Sequence, residues 1–212
     1  MNRPDRRPAQ PLKLHDFALS GNCHRVRLML SLLDLPYESI AVDLLAGEHR
    51  RPAFLALNPF GQVPVLQDGD LTVADSNAIL VYLAGKYGGQ AWLPSAPAHA
   101  AAVQRWLSVA ANEIANGPGA ARAQVLFKRP GDTQECIERA QRLLAVMDQE
   151  LQNRAFLTGA TPTIADVAGY SYIAHAPEGG VALEPYEHVR AWLARVERLT
   201  GFVGMRRTPT EV

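Results

Sequence analysis

The chain has 212 residues, 48% of them hydrophobic and 20% charged, and its 21 basic and 21 acidic side chains cancel. That length and balance describe an ordinary globular protein of one large or two small domains, and the lack of a basic field excludes a nucleic-acid backbone as the primary partner. Two cysteines, Cys23 and Cys136, make neither a disulfide framework nor a zinc-ligand spacing, so a reducing cytoplasm is the expected setting.

Residues 1–11 are rich in Arg and Pro and have no apolar stretch; they read as a disordered lead-in rather than a signal peptide or anchor. Leu12 to Phe17 alternates with a period of two and predicts a strand. Val26, Leu30 and Leu33, with Met29 beside them, then recur at helical spacing after the polar Ser20-Gly21-Asn22, and Pro36 ends that helix. Tyr37 to Leu44 predicts a second strand, and Arg50 to Leu57 a short helix closed by Asn58-Pro59. Val63 to Gln67, the turn Asp68-Gly69-Asp70 and Leu71 to Val73 give a hairpin signal. Asp75-Ser76 opens a further helix that carries Ile79, Leu80, Leu83 and Tyr87 on one face and stops at Gly88-Gly89. Within it, Ala78 to Gly85 is the longest near-continuous apolar run, less than half of the roughly 18 residues a membrane-spanning helix needs.

Residues 12–89 therefore form one α/β unit, 90–98 a linker, and 99–212 an all-α unit. Helices are expected over His99 to Asn116, Thr133 to Gln152, Thr163 to His175 and Pro185 to Leu199, with a shorter one over Ala120 to Phe127.

Three polar clusters in the first unit stand out. Ser20 and Asn22 sit where a strand gives way to a helix, so they either cap that helix or place an anion or thiolate over its unpaired N–H groups. Val63-Pro64 is either a plain edge-strand proline or a bend that frees the Val63 backbone to pair with an extended peptide. Asp75-Ser76 offers a carboxylate, a hydroxyl and helix N–H groups together, either as a cap or as a site for an amino-acid end. His49 and Arg50, after Gly47-Glu48, either bind a carboxylate or form a solvated charged turn.

The chain resembles the glutathione transferases over nearly all of residues 12–206. The resemblance rests on Leu-Ser-Gly-Asn-Cys-His-Arg-Val-Arg from 19, Leu-Ala-Gly-Glu-His-Arg from 45, Leu-Asn-Pro-Phe-Gly-Gln-Val-Pro-Val-Leu from 57 and Ala-Asp-Ser-Asn-Ala-Ile from 74, in order and at family spacing. It implies a thioredoxin-like first domain followed by an all-helical second one. It also implies a serine-type member: Ser20 stands where the serine branches contact the glutathione sulfur, and Asp16 stands at the tyrosine-type position. Cys23 falls inside the first helix, away from the active cysteine of the thiol-transfer branches. By the same resemblance Pro64 is cis, Val63 pairs with the cysteinyl backbone, Asp75 and Ser76 hold the γ-glutamyl end, and His49, Arg50 and Gln62 hold the glycyl end. Asn22 is the substitute donor to the sulfur. In the second domain, Thr163-Ile164-Ala165-Asp166 is similar to the family's capping box, with aspartate in place of the commoner glutamate or glutamine, and reads as structural.

The implied activity is attack of the glutathione thiolate on small apolar electrophiles. Phe17, Ala18 and Leu19 are expected to form an apolar wall beside Ser20. Trp106 and Glu113 are candidates for the electrophile site, at helical spacing with Ala110 and Ile114, although core packing explains Trp106 and Ile114 equally well. Tyr170-Ser171-Tyr172 reads as internal packing. Glutathione-dependent isomerisation or peroxide reduction is an alternative, and a noncatalytic binding protein of the same fold is another. Neither a metal nor a nucleotide cofactor is implied, only glutathione as co-substrate. The expected partners are glutathione, the electrophile and a second copy of the chain in a homodimer, with Phe60 as its apolar anchor; neither nucleic acid nor membrane is expected.

Overall fold

The structure, a computed structural model, describes residues 7–208. The expected lead-in falls partly outside them; residues 7–11 have irregular backbone, and Arg7 pairs with Asp34 on the surface. The first domain contains β1 (Leu12–Asp16), α1 (Gly21–Leu32), β2 (Tyr37–Ala41), a 3₁₀ turn (Glu48–Arg50), α2 (Pro52–Leu55), β3 (Val65–Asp68), β4 (Leu71–Ala74) and α3 (Ser76–Leu83). Its four-stranded sheet has the order β2-β1-β3-β4, with β1 parallel to β2 and antiparallel to β3, and β3 antiparallel to β4.

Strand alternation decides which face each side chain enters. Leu12, Leu14 and Leu66 are buried with Val26, Leu30, Ile79 and Leu80 of α1 and α3, whereas Val65 enters a smaller cluster with Val42 and Phe54 on the α2 face. The expected second strand runs only to Ala41, because the chain leaves the ladder after Val42 donates to the Asp16 carbonyl (2.8 Å) and turns its side chain into that smaller cluster.

The second domain is helical, with α4 (Pro97–Val109), α5 (Ala120–Phe127), α6 (Thr133–Leu151), α7 (Ile164–Ala174) and α8 (Glu187–Glu197). Pro97 and Ala98, expected in the linker, already belong to α4. The two helices expected over 99–116 and 120–127 are one continuous rod, because α4 runs into wide π-helical turns (Ala110–Gly119) that lead directly into α5. Pro118 lies inside those turns, where the widened backbone accommodates a ring and a missing N–H that would break an α-helix.

Helix α7 is buried along almost its whole length, and α1 packs on it, so α1 joins the sheet to the helical domain. The Thr163 N–H donates to Asp166 Oδ2 (2.9 Å) and the Thr163 side chain accepts from the Asp166 N–H, forming the capping box, while the Ala165 N–H also donates to Thr163 Oγ1 (3.3 Å). The second Asp166 oxygen accepts from the Leu157 N–H and from Trp192 Nε1, both at 2.9 Å. Among the described residues no helix is long and apolar enough to cross a membrane.

Candidate functional site

Strand register brings three segments to one end of the sheet. Val65 lies between His15 and Ala74, so the end of β1, the Val63-Pro64 segment before β3 and the Asp75-Ser76 start of α3 are neighbours. The N-termini of α1 and α3, with their free N–H groups and positive dipole ends, open at this same place.

Ser20 caps α1: its Oγ accepts from the Cys23 N–H (3.2 Å), which leaves the hydroxyl proton unused by the cap. The loop before it is fixed by Ser20 N–H to Phe17 O (2.9 Å) and Phe17 N–H to Cys23 Sγ (3.4 Å). From the second domain, Arg122 Nη1 holds the carbonyl of Leu19 at 2.8 Å. The Cys23 thiol is pushed up to about 12, first by burial and then by the charge of Asp16, so it is an inert core group. Asp16 is itself turned inward and occupied by Arg27 and Ser39.

The Val63–Pro64 peptide bond is cis, and the Val63 N–H and C=O make no backbone hydrogen bond among the described residues. Buried Asn58 builds the approach to it, donating from Nδ2 to Gln62 O (2.8 Å) and accepting the Phe60 N–H at Oδ1 (3.1 Å). Gly61 has φ +60°, and a Cβ there would meet His49 O at 3.0 Å; the turn therefore requires glycine.

Asp75 caps α3 through Oδ1, which accepts from the Asn77 and Ala78 N–H groups (both 2.9 Å), while Oδ2 has no partner among the described residues. Its φ of +72° is a strained conformation for a residue with a Cβ, of the kind that persists where a site demands it. Ser76 is buried and accepts from Nη1 of Arg25 at 3.1 Å.

Between the domains opens a cleft of about 760 Å³. The first domain lines it with Phe17, Leu19, Ser20, Asn22, Leu44, Leu45, His49, Arg50, Gln62 and Val63, and His49 Nδ1 is buried there without a partner. Pro64, Asp75 and Ser76 lie outside this lining.

Trp106 and Glu113 do not line the cleft either. Trp106 is core, packed among Val103, Leu107 and Ile114, and Glu113 is occupied by Arg139 at 2.8 and 3.1 Å. The wide turns over 110–119 shift the rod's phase, so Gly119, Arg122, Ala123 and Phe127 face the cleft instead. Tyr172 is a second correction: Tyr170 and Ser171 are internal, but Tyr172 is part of the cleft wall. Its ring lies against Gly21, where a Cβ would meet it at 2.6 Å. Regular helical spacing misses Arg122, Phe127 and Arg129, and only a proline within an apolar helical pattern hints that the spacing is interrupted.

Comparison with known proteins agrees with this architecture. The family description "Glutathione S-transferase, N-terminal domain" fits residues 14–91, and "Glutathione S-transferase, C-terminal domain" fits residues 120–199. Glutathione S-transferase 3 of Zea mays is 36% identical over 197 residues, covering 86% of this chain and 87% of that protein. The crystal structure of a glutathione S-transferase from Pseudomonas fluorescens superimposes with a TM-score of 0.88 at 36% identity, covering 92% of this chain and 99% of that one. A possible glutathione S-transferase from Rhodopseudomonas palustris gives 0.87 at 35% identity, covering 94% and 100%.

Proposed function

Because the chain belongs to the glutathione S-transferase family, we propose that it binds glutathione along Val63-Pro64, holds the sulfur beside Ser20 as a thiolate, and directs it at a small electrophile with an apolar body. The observation that carries this reading is a convergence at one sheet end: the spare hydroxyl proton of Ser20, the unpaired backbone of Val63 and the open Oδ2 of Asp75. An extended tripeptide laid across that end meets a donor for its sulfur, a strand-like partner for its cysteinyl backbone and a carboxylate for its ammonium.

In this reading Asp75 Oδ2 takes the ammonium of the γ-glutamyl end, and the Ser76 N–H and hydroxyl take its carboxylate. His49, Arg50 and Gln62 take the glycyl carboxylate, and Asn22 is a second donor near the sulfur. The thiolate is the reactive species. Its lone pair forms the carbon–sulfur bond, and the leaving group departs with the bonding pair. The inertness of Cys23 supports transfer by the glutathione sulfur rather than by a protein thiol. Glutathione is the sole co-substrate in this scheme.

We further propose a cytoplasmic, detoxifying homodimer, in which Phe60, 85% exposed, enters the other copy. Light scattering would then read about twice the 23.1 kDa of one chain. Calorimetric titration with glutathione, alongside conjugation of an activated aryl chloride, tests the main reading. Binding with turnover supports it, whereas binding without turnover makes the protein a binding module and overturns it.

A further inference from the structure

On the first-domain wall, His49 and Arg50 are assigned to glutathione. Two arginines, Arg122 and Arg129, stand on the second-domain wall and are left over, and neither wall carries an aspartate or glutamate. Arg122 is 2% exposed. Its Nε donates to Glu178 Oε2 at 2.7 Å and its Nη1 to Leu19 O at 2.8 Å, while Nη2 is buried without an acceptor. Since Leu19 immediately precedes Ser20, the Arg122 guanidinium lies behind the sulfur end of the cleft and adds positive charge there without an accessible donor. Glu178, which also contacts His175 at 2.5 Å, compensates the Arg122 charge.

Arg129 has no such compensation. It is exposed, it follows Phe127 and the left-handed Lys128, and among the described residues it makes no hydrogen bond or ion pair. Beside it, the rings of Phe127 and Phe17 meet at a tilt of 50° with 6.2 Å between centroids, and Tyr172 adds a third aromatic surface.

A cleft with apolar walls and one sign of charge focuses its field and concentrates ligands of the opposite sign. A guanidinium is weakly hydrated and presents a fork that matches a carboxylate. We infer that the electrophile is anionic: a flat aromatic body that lies against Phe17, Phe127 and Tyr172, with a carboxylate that meets Arg129 at the mouth. This inference rests on the glutathione-transfer reading, which defines the sulfur end, and it narrows the electrophile from merely apolar to acidic.

The test compares glutathione conjugation of 4-chloro-3-nitrobenzoate and 4-chloro-3-nitrobenzamide. In both, the thiolate forms a bond to the ring carbon and chloride leaves with the bonding pair. Dividing each kcat/KM by its uncatalysed rate constant removes the electronic difference between them. The wild-type protein is expected to favour the benzoate about ten-fold, mostly through KM, and the ratio should fall toward one in Arg129→Glu and with added salt. Equal normalised values in the wild type, or a preference that survives in Arg129→Glu, would overturn the inference. A second readout needs no turnover: calorimetric binding of 3-nitrobenzoate and 3-nitrobenzamide to the glutathione-loaded protein. If neither chloride reacts, the transfer reading falls, and the calorimetry still decides the charge question. An Arg129-dependent preference for the benzoate upholds it, and equal binding sinks it.

Discussion

Replacing Ser20 by alanine and, separately, by glycine resolves two tasks carried by one oxygen. Ser20 Oγ accepts from the Cys23 N–H at 3.2 Å, and losing that cap to alanine costs about 0.5–2 kcal/mol, but to glycine only a few tenths. The hydroxyl proton, which the cap does not use, is the proposed donor to the glutathione thiolate, a charge-assisted bond of about 1.5–3 kcal/mol. At 1.36 kcal/mol per pK unit, its loss raises the bound thiol by about 1–2 units. The dipole of α1 supplies about 0.3–1 kcal/mol more and is unaffected by either change. Both variants should therefore show the same raised thiol pKa and the same loss of turnover at neutral pH, while only Ser20→Ala loses appreciable stability. Ultraviolet titration of the bound thiolate measures the first effect and the urea midpoint the second. An unchanged thiol pKa in both folded variants would remove Ser20 from the chemistry and leave Asn22 and the helix end as the activating groups. A pKa shift that follows the stability loss from glycine to alanine would mean that the hydroxyl acts only through the cap.

Gly21→Ala places a Cβ 2.6 Å from the Tyr172 ring, and this overpacking should cost about 1–3 kcal/mol and displace the tyrosine from the cleft wall; an unchanged melting temperature would contradict that packing. Asp166→Ala strands the Leu157 and Thr163 N–H groups and Trp192 Nε1, each 2.9 Å from its oxygens, and should cost at least about 3 kcal/mol by urea denaturation. Asp166→Asn, which keeps one acceptor, should lose less. His24 is buried, with Nε2–H donating to Val203 O and Nδ1 accepting the Ser171 hydroxyl, both at 2.8 Å, and burial pushes its pKa down to about 4. An unfolded histidine titrates near 6.5, so between these values the unfolded chain binds more protons. Stability from this group is thus complete above about pH 6.5 and declines by roughly 3 kcal/mol as pH falls toward 4. Urea midpoints over that range should flatten in His24→Asn, and an equally steep decline in the variant would assign the effect elsewhere.

Legibility in the sequence followed the regularity of the backbone. β1 could be read because Leu12 and Leu14 alternate with exposed or half-buried partners, and α7 could be bounded because Thr163 and Asp166 close its start with each other's N–H groups. The ends of elements were less visible: Val42 to Leu44 have strand-like side chains, yet the ladder ends at Ala41. The second-domain wall of the cleft escaped a reading by period, because the helical count of 3.6 residues per turn does not survive the turns at 110–119. Helical spacing pointed instead to Trp106, which precedes those turns, and to Glu113 within them, and the fold uses these for core and for a surface ion pair. Tyr172 was hidden for a different reason. It is an aromatic residue on a helix buried nearly all round, and only contact with Gly21, 151 positions earlier in the chain, reveals its role in the wall.

The continuous rod over 97–127 makes the character of that wall depend on chain length as well as on residue type. Each residue of an α-helix turns the next by about 100°, so removing one residue from the wide turns would swing all that follows by roughly that angle. Arg122, Ala123 and Phe127 would then leave the cleft together, and a charged, aromatic surface would be exchanged for whatever lies a quarter turn away, with none of those side chains altered. Ten residues of slack winding thus work as an indexing gear: they select which stripe of one helix faces the cleft.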